Sequence, residues 1–256
     1  TLYYLHRFQT FLKGLVEDVH LDSVDLSVEV LQQLNATFEV LKSHQPLLGK
    51  AFSHADRFEM MSALGKIGEN YRHAIYTDGF SGKKAPISMK DLKAFIDLSL
   101  THLQDSIRKN RREDGLYHSY NLLRFEKEGC SISHLYEMLE GQVSVLSSKA
   151  LEPQECLSVL DALKRSPIYR KDQDSFMLYP NRALPRFLEK NVVPEALAQS
   201  SVILKEELAA KRTRFIERDV YGKLHFNGRY RNGYDIEKAL KATHQFKEED
   251  IVYVRE

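Results

Sequence analysis

Tryptophan is absent from this 256-residue chain, and cysteine occurs only at Cys130 and Cys156. Neither cysteine belongs to a CxxC pair or stands near a histidine at metal-ligand spacing, so the thiols give no indication of a metal site. Two reduced thiols in a cytoplasmic protein are expected instead. Charge of one sign is also lacking: 37 basic against 36 acidic side chains leave a formal charge of +1. That balance supplies no overall field to hold a nucleic acid or an anionic membrane as partner. No run of about 18 apolar residues is present, and the N-terminus lacks the basic, apolar and small-residue order of a signal peptide. GxGxxG, a P-loop, a GxSxG elbow and HExxH are all missing, and the ten histidines are scattered. The sequence therefore points to no nucleotide, metal or other cofactor.

What is present is a globular composition, 43% hydrophobic and 29% charged, with no low-complexity tract. Helical periodicity dominates the first hundred residues. Leu5, Phe8, Leu12, Leu15 and Val19 form one apolar stripe, expected to face the core. Leu26, Val30, Leu34, Phe38 and Leu41 form a second stripe that ends at His44-Gln45-Pro46. Ser53 and Ser88 are expected N-caps of a third and a fourth helix. Four antiparallel helices over 1–112 thus make a helical-hairpin layer.

The character changes at Glu113-Asp114-Gly115. Short strands are expected over 117–126 and 175–179, and a helix from Ser133 through Val143. A further helix begins at Pro153, and residues 195–212 are helical by pattern. A hairpin around Tyr221-Gly222 joins 215–218 to 224–226, and a last helix covers 235–246. The fold class is mostly α, in helical hairpins with small β-hairpins. The expected organisation is a layer over 1–112 and a mixed region over 113–256, packed together as one unit.

Residues 114–121 (DGLYHSYN) are the densest in functional groups. Tyr117 and Tyr120 offer flat faces with a polar tip, while Asp114, His118 and Asn121 offer directional hydrogen bonds, as a saccharide site would use. A structural connection whose tyrosines cover the core edge is an equal alternative. Glu137 and Glu140 lie three apart on the expected helix and so share a side of it, a placement open to paired-carboxylate chemistry, although solvated acids are commoner there. Asp172 and Asp174 read first as solvated turn residues. The basic residues of 108–112 suit a helix C-terminus, and Arg229, Arg231 and Tyr234 suit a solvated loop better than a nucleic-acid surface.

Four strings carry a resemblance: DGLYH at 114–118, LYEMLEGQ at 135–142, YPNR at 179–182 continuing to LPRFLEKN at 184–191, and HFNG at 225–228. Through them about half of the chain resembles a group of large bacterial proteins. The longer members of that group resemble cellobiose-phosphorylase-like carbohydrate-active enzymes with an (α/α)-toroid region. The resemblance implies a section of a glycoside phosphorylase or hydrolase relative, with an oligosaccharide or sugar phosphate as partner. It also implies contacts to further regions of a longer polypeptide, since a six-hairpin toroid takes about twelve helices where periodicity yields about eight. The chain opens on Thr1 inside a helix rather than on methionine, as a processed chain or a piece of a longer one would. The expected ligand contacts are Asp114, Tyr117, His118, Tyr120 and Asn121, with Glu137, Arg182 and Arg186 as second choices, the arginines suiting phosphate or sugar oxygens. No carboxylate is matched to a catalytic acid. The reading from a different class is a non-catalytic helical interaction or scaffold module.

Overall fold

The computed structural model describes residues 1–186, 189, 191–243, 246, 247 and 251. Of the LPRFLEKN string, Phe187, Leu188 and Lys190 lie outside the described residues, as do His244 and Gln245 of the expected last helix. The chain forms two compact units, Thr1–Asn181 and Arg182–Glu256. Residues 113–181 belong with 1–112 in the first of them.

Four long helices open the first unit: α1 (Leu2–Asp18), α2 (Val28–His44), α3 (His54–Thr77) and α4 (Met89–Lys109). The starts of α3 and α4 are local chemistry. Ser53 and Asp56 exchange the reciprocal bonds of a capping box at α3, and Ser88 accepts the Asp91 N–H at α4. Between the helices run two strands that periodicity does not show, β1 (Ser23–Ser27) and β2 (Lys84–Ser88), paired antiparallel with Val24 opposite Ile87. Pro86 is tolerated because a two-stranded ladder is all edge.

The α1 stripe corrects the sequence reading. Leu5, Phe8, Leu15 and Val19 are 42–56% exposed, while the buried residues of α1 are Tyr3 and His6. The helix packs on α4 through polar partners: Lys13 reaches Asp97 at 2.6 Å and Lys93 reaches Glu17 at 3.1 Å. His6 Nδ1 lies 2.9 Å from the Ser148 carbonyl.

After α4 comes a hairpin of β3 (Asn121–Glu126) and β4 (Gly129–His134), with Leu122 opposite Ser133. The expected helix start at Ser133 is therefore wrong. Ser131, Ile132, Ser133 and His134 extend because they find ladder partners ten or so residues back, a non-local pairing that outweighs the capping potential of a lone serine. Helix α5 (Leu139–Leu146) opens six residues later, its N-cap Met138 making no side-chain cap. Helix α6 (Pro153–Arg165) starts on its proline as expected. Only Ser175–Phe176 of the expected 175–179 strand is extended; this strand, β6, pairs with β5 (Tyr169–Arg170). Tyr3, Ile107, Tyr117, Val145 and Val159 share one buried cluster, and Leu116, Ala162, Leu163 and Ile168 another.

The second unit carries a three-stranded antiparallel sheet in the order β7 (Val192–Val193), β9 (Leu224–Phe226), β8 (Ile216–Arg218). Gly222 (φ +81°) turns the β8–β9 hairpin. Residues 195–212 split into α7 (Glu195–Ser200) and α8 (Val202–Ala209), because Ser201 is extended and its hydroxyl caps α8. Helix α9 (Gly233–Lys241) is capped by Asn232. Val193, Ile203, Leu204, Phe215, Ile216, Leu224, Ile236 and Leu240 form the buried centre. The fold is mostly α with small antiparallel sheets. Among the described residues no helix is long and apolar enough to cross a membrane.

Candidate functional site

The 114–121 segment is a connection with two faces. Its path is set by backbone bonds: Arg112 N–H donates to Leu116 O at 2.8 Å, and His118 N–H donates to Asn110 O at 2.9 Å. Gly115 (φ +86°) allows the turn between them. Tyr117 points inward and is 2% exposed. Gln142, fully buried on α5, holds it from both sides by accepting the Tyr117 N–H and donating to the Tyr117 carbonyl, each at 2.8 Å. The same side-chain amide donates to Met138 O at 3.0 Å. Tyr3 OH donates to His118 O at 2.9 Å.

Tyr120, three residues on, points outward. Its hydroxyl donates to Glu140 Oε2 at 2.8 Å in the first turn of α5. These two residues border a cleft of about 390 Å³ lined also by Tyr3, Tyr4, Ser119 and Ser144. The volume falls in the range of small-molecule sites. The wall is tight where α5 meets the segment: a Cβ on Gly141 would stand 2.2 Å from Ser119 Oγ. A tyrosine face, a carboxylate and two serine hydroxyls are the groups that take the C–H face and the hydroxyls of a sugar ring.

A second cluster joins Arg112 to two carboxylates. Its guanidinium grips Asp114 through Nε (3.1 Å) and Nη2 (2.8 Å) and reaches Glu137 Oε2 at 3.3 Å. Burial pushes the Asp114 carboxyl up, but the Arg112 bonds and the Leu116 N–H outweigh it and hold the group below its ordinary value. Glu137 precedes α5 instead of lying on it, so the expected sharing of one helix face with Glu140 does not occur. Glu137 is held by arginine and Glu140 by tyrosine.

His118 stacks flat on His134 of β4, with ring centroids 3.7 Å apart and planes 9° apart. His134 Nδ1 faces Asn121 Oδ1 at 2.8 Å, and Asn121 Nδ2 donates to Asn110 Oδ1 at 2.9 Å. Burial, then the neighbouring His134 and Arg112, push His118 down to about 4, with Asp114 opposing. The unfolded chain, near 6.5, therefore takes up this proton before the folded one does. Stability from neutral His118 is complete above about pH 6.5 and falls as the pH drops toward about 4. Acidification from pH 7 to 4.5 should cost about 2 kcal/mol through this ring, after allowing for its partial exposure. His118→Phe keeps a stackable ring without the proton and should flatten urea-midpoint profiles over that interval. Superimposable profiles for the two proteins would refute the assignment.

Arg182 and Arg186 lie exposed in the opening segment of the second unit, where the Arg186 N–H donates to Glu189 at 2.7 Å. Asp172 accepts from Arg170 at 2.6 Å and Asp174 from the Tyr169 hydroxyl, so both serve the β5–β6 turn. Tyr4, Ser119, Glu140 and Ser144 of the cleft are absent from the sequence-derived ligand set. Glu140 and Ser144 share a face of α5 at i,i+4, but Tyr4 of α1 and Ser119 of the connecting segment come from separate elements, and no spacing rule joins those to them. Among the described residues no group of three or more His, Cys, Asp or Glu is placed to hold a metal ion.

Residues 184–254 match the family model of GH149 phosphorylase insertion domain 2. The matched stretch lies within the second compact unit. No curated protein matches the chain.

Proposed function

We propose that this chain is a section of a glycoside-phosphorylase-related protein and that its first unit contacts saccharide in the Tyr120–Glu140 cleft. The observation that carries the relationship is the match of 184–254 to a phosphorylase insertion domain, within a unit that is compact by itself. The cleft supports the second half of the reading, because it combines tyrosine rings with a carboxylate and hydroxyls. In this reading Tyr120 lies under the sugar, and Glu140 and Ser119 take its hydroxyls. Asp114 and Asn121 hold the segment through Arg112, His134 and Asn110, and Tyr117 anchors it to the core.

The test is a thermal-shift series on the whole chain with glucose, cellobiose and maltotriose at tens of millimolar. One of them should raise Tm by about 3–6 °C, as a ligand present at ten times its Kd does. Tyr120→Ala and Glu140→Gln should remove the shift while moving the unliganded Tm by less than about 1 °C, both groups being exposed. No shift with any sugar overturns the cleft assignment. It would favour the second reading, a non-catalytic interaction module, which the outward apolar stripe of α1 supports.

A further inference from the structure

No other described element leaves as many large apolar side chains exposed as α1 does. Tyr4, Leu5, Phe8, Phe11 and Leu15, with Val19 at the C-cap, are 42–61% exposed. The opposite side of the helix carries the buried Tyr3 and His6, and Tyr3 joins Ile107 of α4 and Val145 of α5. At 3.6 residues per turn the exposed set falls within an arc of about 120°. Tyr4, Phe8, Phe11 and Leu15 follow at steps of four, three and four, the spacing of a coiled-coil seam, and Leu5 and Val19 widen one edge of it. Three aromatic and three aliphatic side chains, each about half exposed, offer roughly 600 Å². That matches the largest patch of an ordinary monomer, and over two copies it reaches the roughly 1,200 Å² at which stable interfaces begin.

The charges of α1 run against its own dipole. The first turn has no acidic residue and the last turn no basic one; Glu17 and Asp18 stand at the negative end instead. Lys93 answers Glu17. Asp18 makes no ion pair among the described residues, and neither does Arg7 toward the other end of the helix. Arg7 and Asp18 fall on the same edge of the stripe, about 20° apart around the axis. Midway between them lie Leu12 and Lys13, close to the midpoint of the stripe itself. In an antiparallel pair related by a two-fold axis, one edge of a helix faces the same edge of the other copy. Arg7 of each copy then meets Asp18 of the other, and the positive end of each dipole comes beside the acidic last turn. A parallel pair would set Arg7 against the apolar edge of Leu5 and align the two dipoles.

We propose that the outward face of α1 joins two copies of this chain as an antiparallel, two-fold symmetric helix pair, with Phe8, Phe11 and Leu15 at its centre. The pairing uses the first unit alone and does not depend on the saccharide reading of the cleft. The test is sedimentation equilibrium of the whole chain at low salt, from low to high micromolar concentration. The mass should rise from 29.7 kDa to twice that value, with a Kd of about 1–50 µM, as suits an interface at the low end of the stable range. Phe11→Asp, exposed in the single copy, should keep the helical circular dichroism and weaken the pair at least tenfold. Arg7→Glu and Asp18→Arg should each weaken it about three- to tenfold by setting like charges together. A mixture of those two variants should pair as the unaltered chain does, because each then supplies the charge the other lacks. Tyr120→Ala should leave the pair intact. A mass of 29.7 kDa at every concentration overturns the proposal and leaves the stripe to a different chain. An unchanged Kd in Phe11→Asp, or no recovery on mixing the charge variants, overturns it as well.

Discussion

Gly129→Ala should lower the thermal midpoint of the first unit by roughly 10 °C. Gly129 sits at φ +135°, open to glycine alone, where the β3–β4 hairpin turns onto α3. A Cβ built there stands 2.3 Å from the His54 carbonyl oxygen and 2.8 Å from Ala55 N, both rigid backbone at the start of α3. Backbone strain and overlap together cost about 3 kcal/mol or more, and each kcal/mol moves the midpoint about 2–4 °C in a unit of this size. The variant can escape only by lifting the hairpin. That motion would also break the 2.7 Å bond from Arg57 to the Cys130 carbonyl and the edge contact of Phe58 with Phe125. Gly65→Ala is the control. It lies inside α3 with nothing within 4 Å of its would-be Cβ, and it should stabilise by about 1 kcal/mol. Circular dichroism melts of the two variants should move in opposite directions. A loss below 1 kcal/mol for Gly129→Ala would mean that the hairpin is not seated on α3.

What could be read in advance follows the range of the forces involved. Ser53, Ser88, Pro153 and Gly222 act on neighbours two to four residues away, so the elements they start or turn were legible. β1 and β2 were not, because each is five residues long and becomes a strand only by pairing with a partner some sixty residues away. The stripe of α1 shows a different limit. Period 3.6 correctly identified the helix, but it does not say which side meets the neighbour. Here Tyr3 and His6 take the inside, and Phe8 and Leu15 the outside. Of the resemblance strings, LPRFLEKN and HFNG lie within residues 184–254, which match a phosphorylase insertion domain. The cleft itself was half legible. Composition marked 114–121 as rich in useful groups, but Tyr117 and Tyr120 look alike in sequence. Gln142 separates them by pinning Tyr117 inward, and nothing in the local pattern of LYEMLEGQ announces that glutamine as a bridge.

Gln142→Leu tests that bridge and should be among the most damaging substitutions in the chain. Three buried hydrogen bonds disappear together: one into Oε1 from Tyr117 N–H, and two out of Nε2 to the Tyr117 and Met138 carbonyls. Leucine fills the volume but satisfies none of the three backbone groups. At about 1 kcal/mol for each lost bond, with the buried Tyr117 N–H and carbonyl left unpaired while Met138 O keeps the Ser119 hydroxyl at 3.3 Å, a loss of about 3–4 kcal/mol is expected. Under the proposed saccharide reading of the cleft, binding should weaken too, because Tyr120 and Ser119 follow Tyr117 directly in the chain. Gln142→Glu sharpens the argument. The carboxylate can still accept from Tyr117 N–H, yet it sets a second oxygen against two carbonyls and buries a charge. Its folded-state pKa is therefore raised above the free glutamate value, so the added penalty is full at neutral pH and shrinks as the pH falls and the group is protonated. Urea midpoints for the Leu and Glu variants should lie well apart at pH 7.5 and converge toward pH 5. If the gap between them is independent of pH, Gln142 does not act through its amide donor, and the inward anchoring of Tyr117 rests on its ring alone.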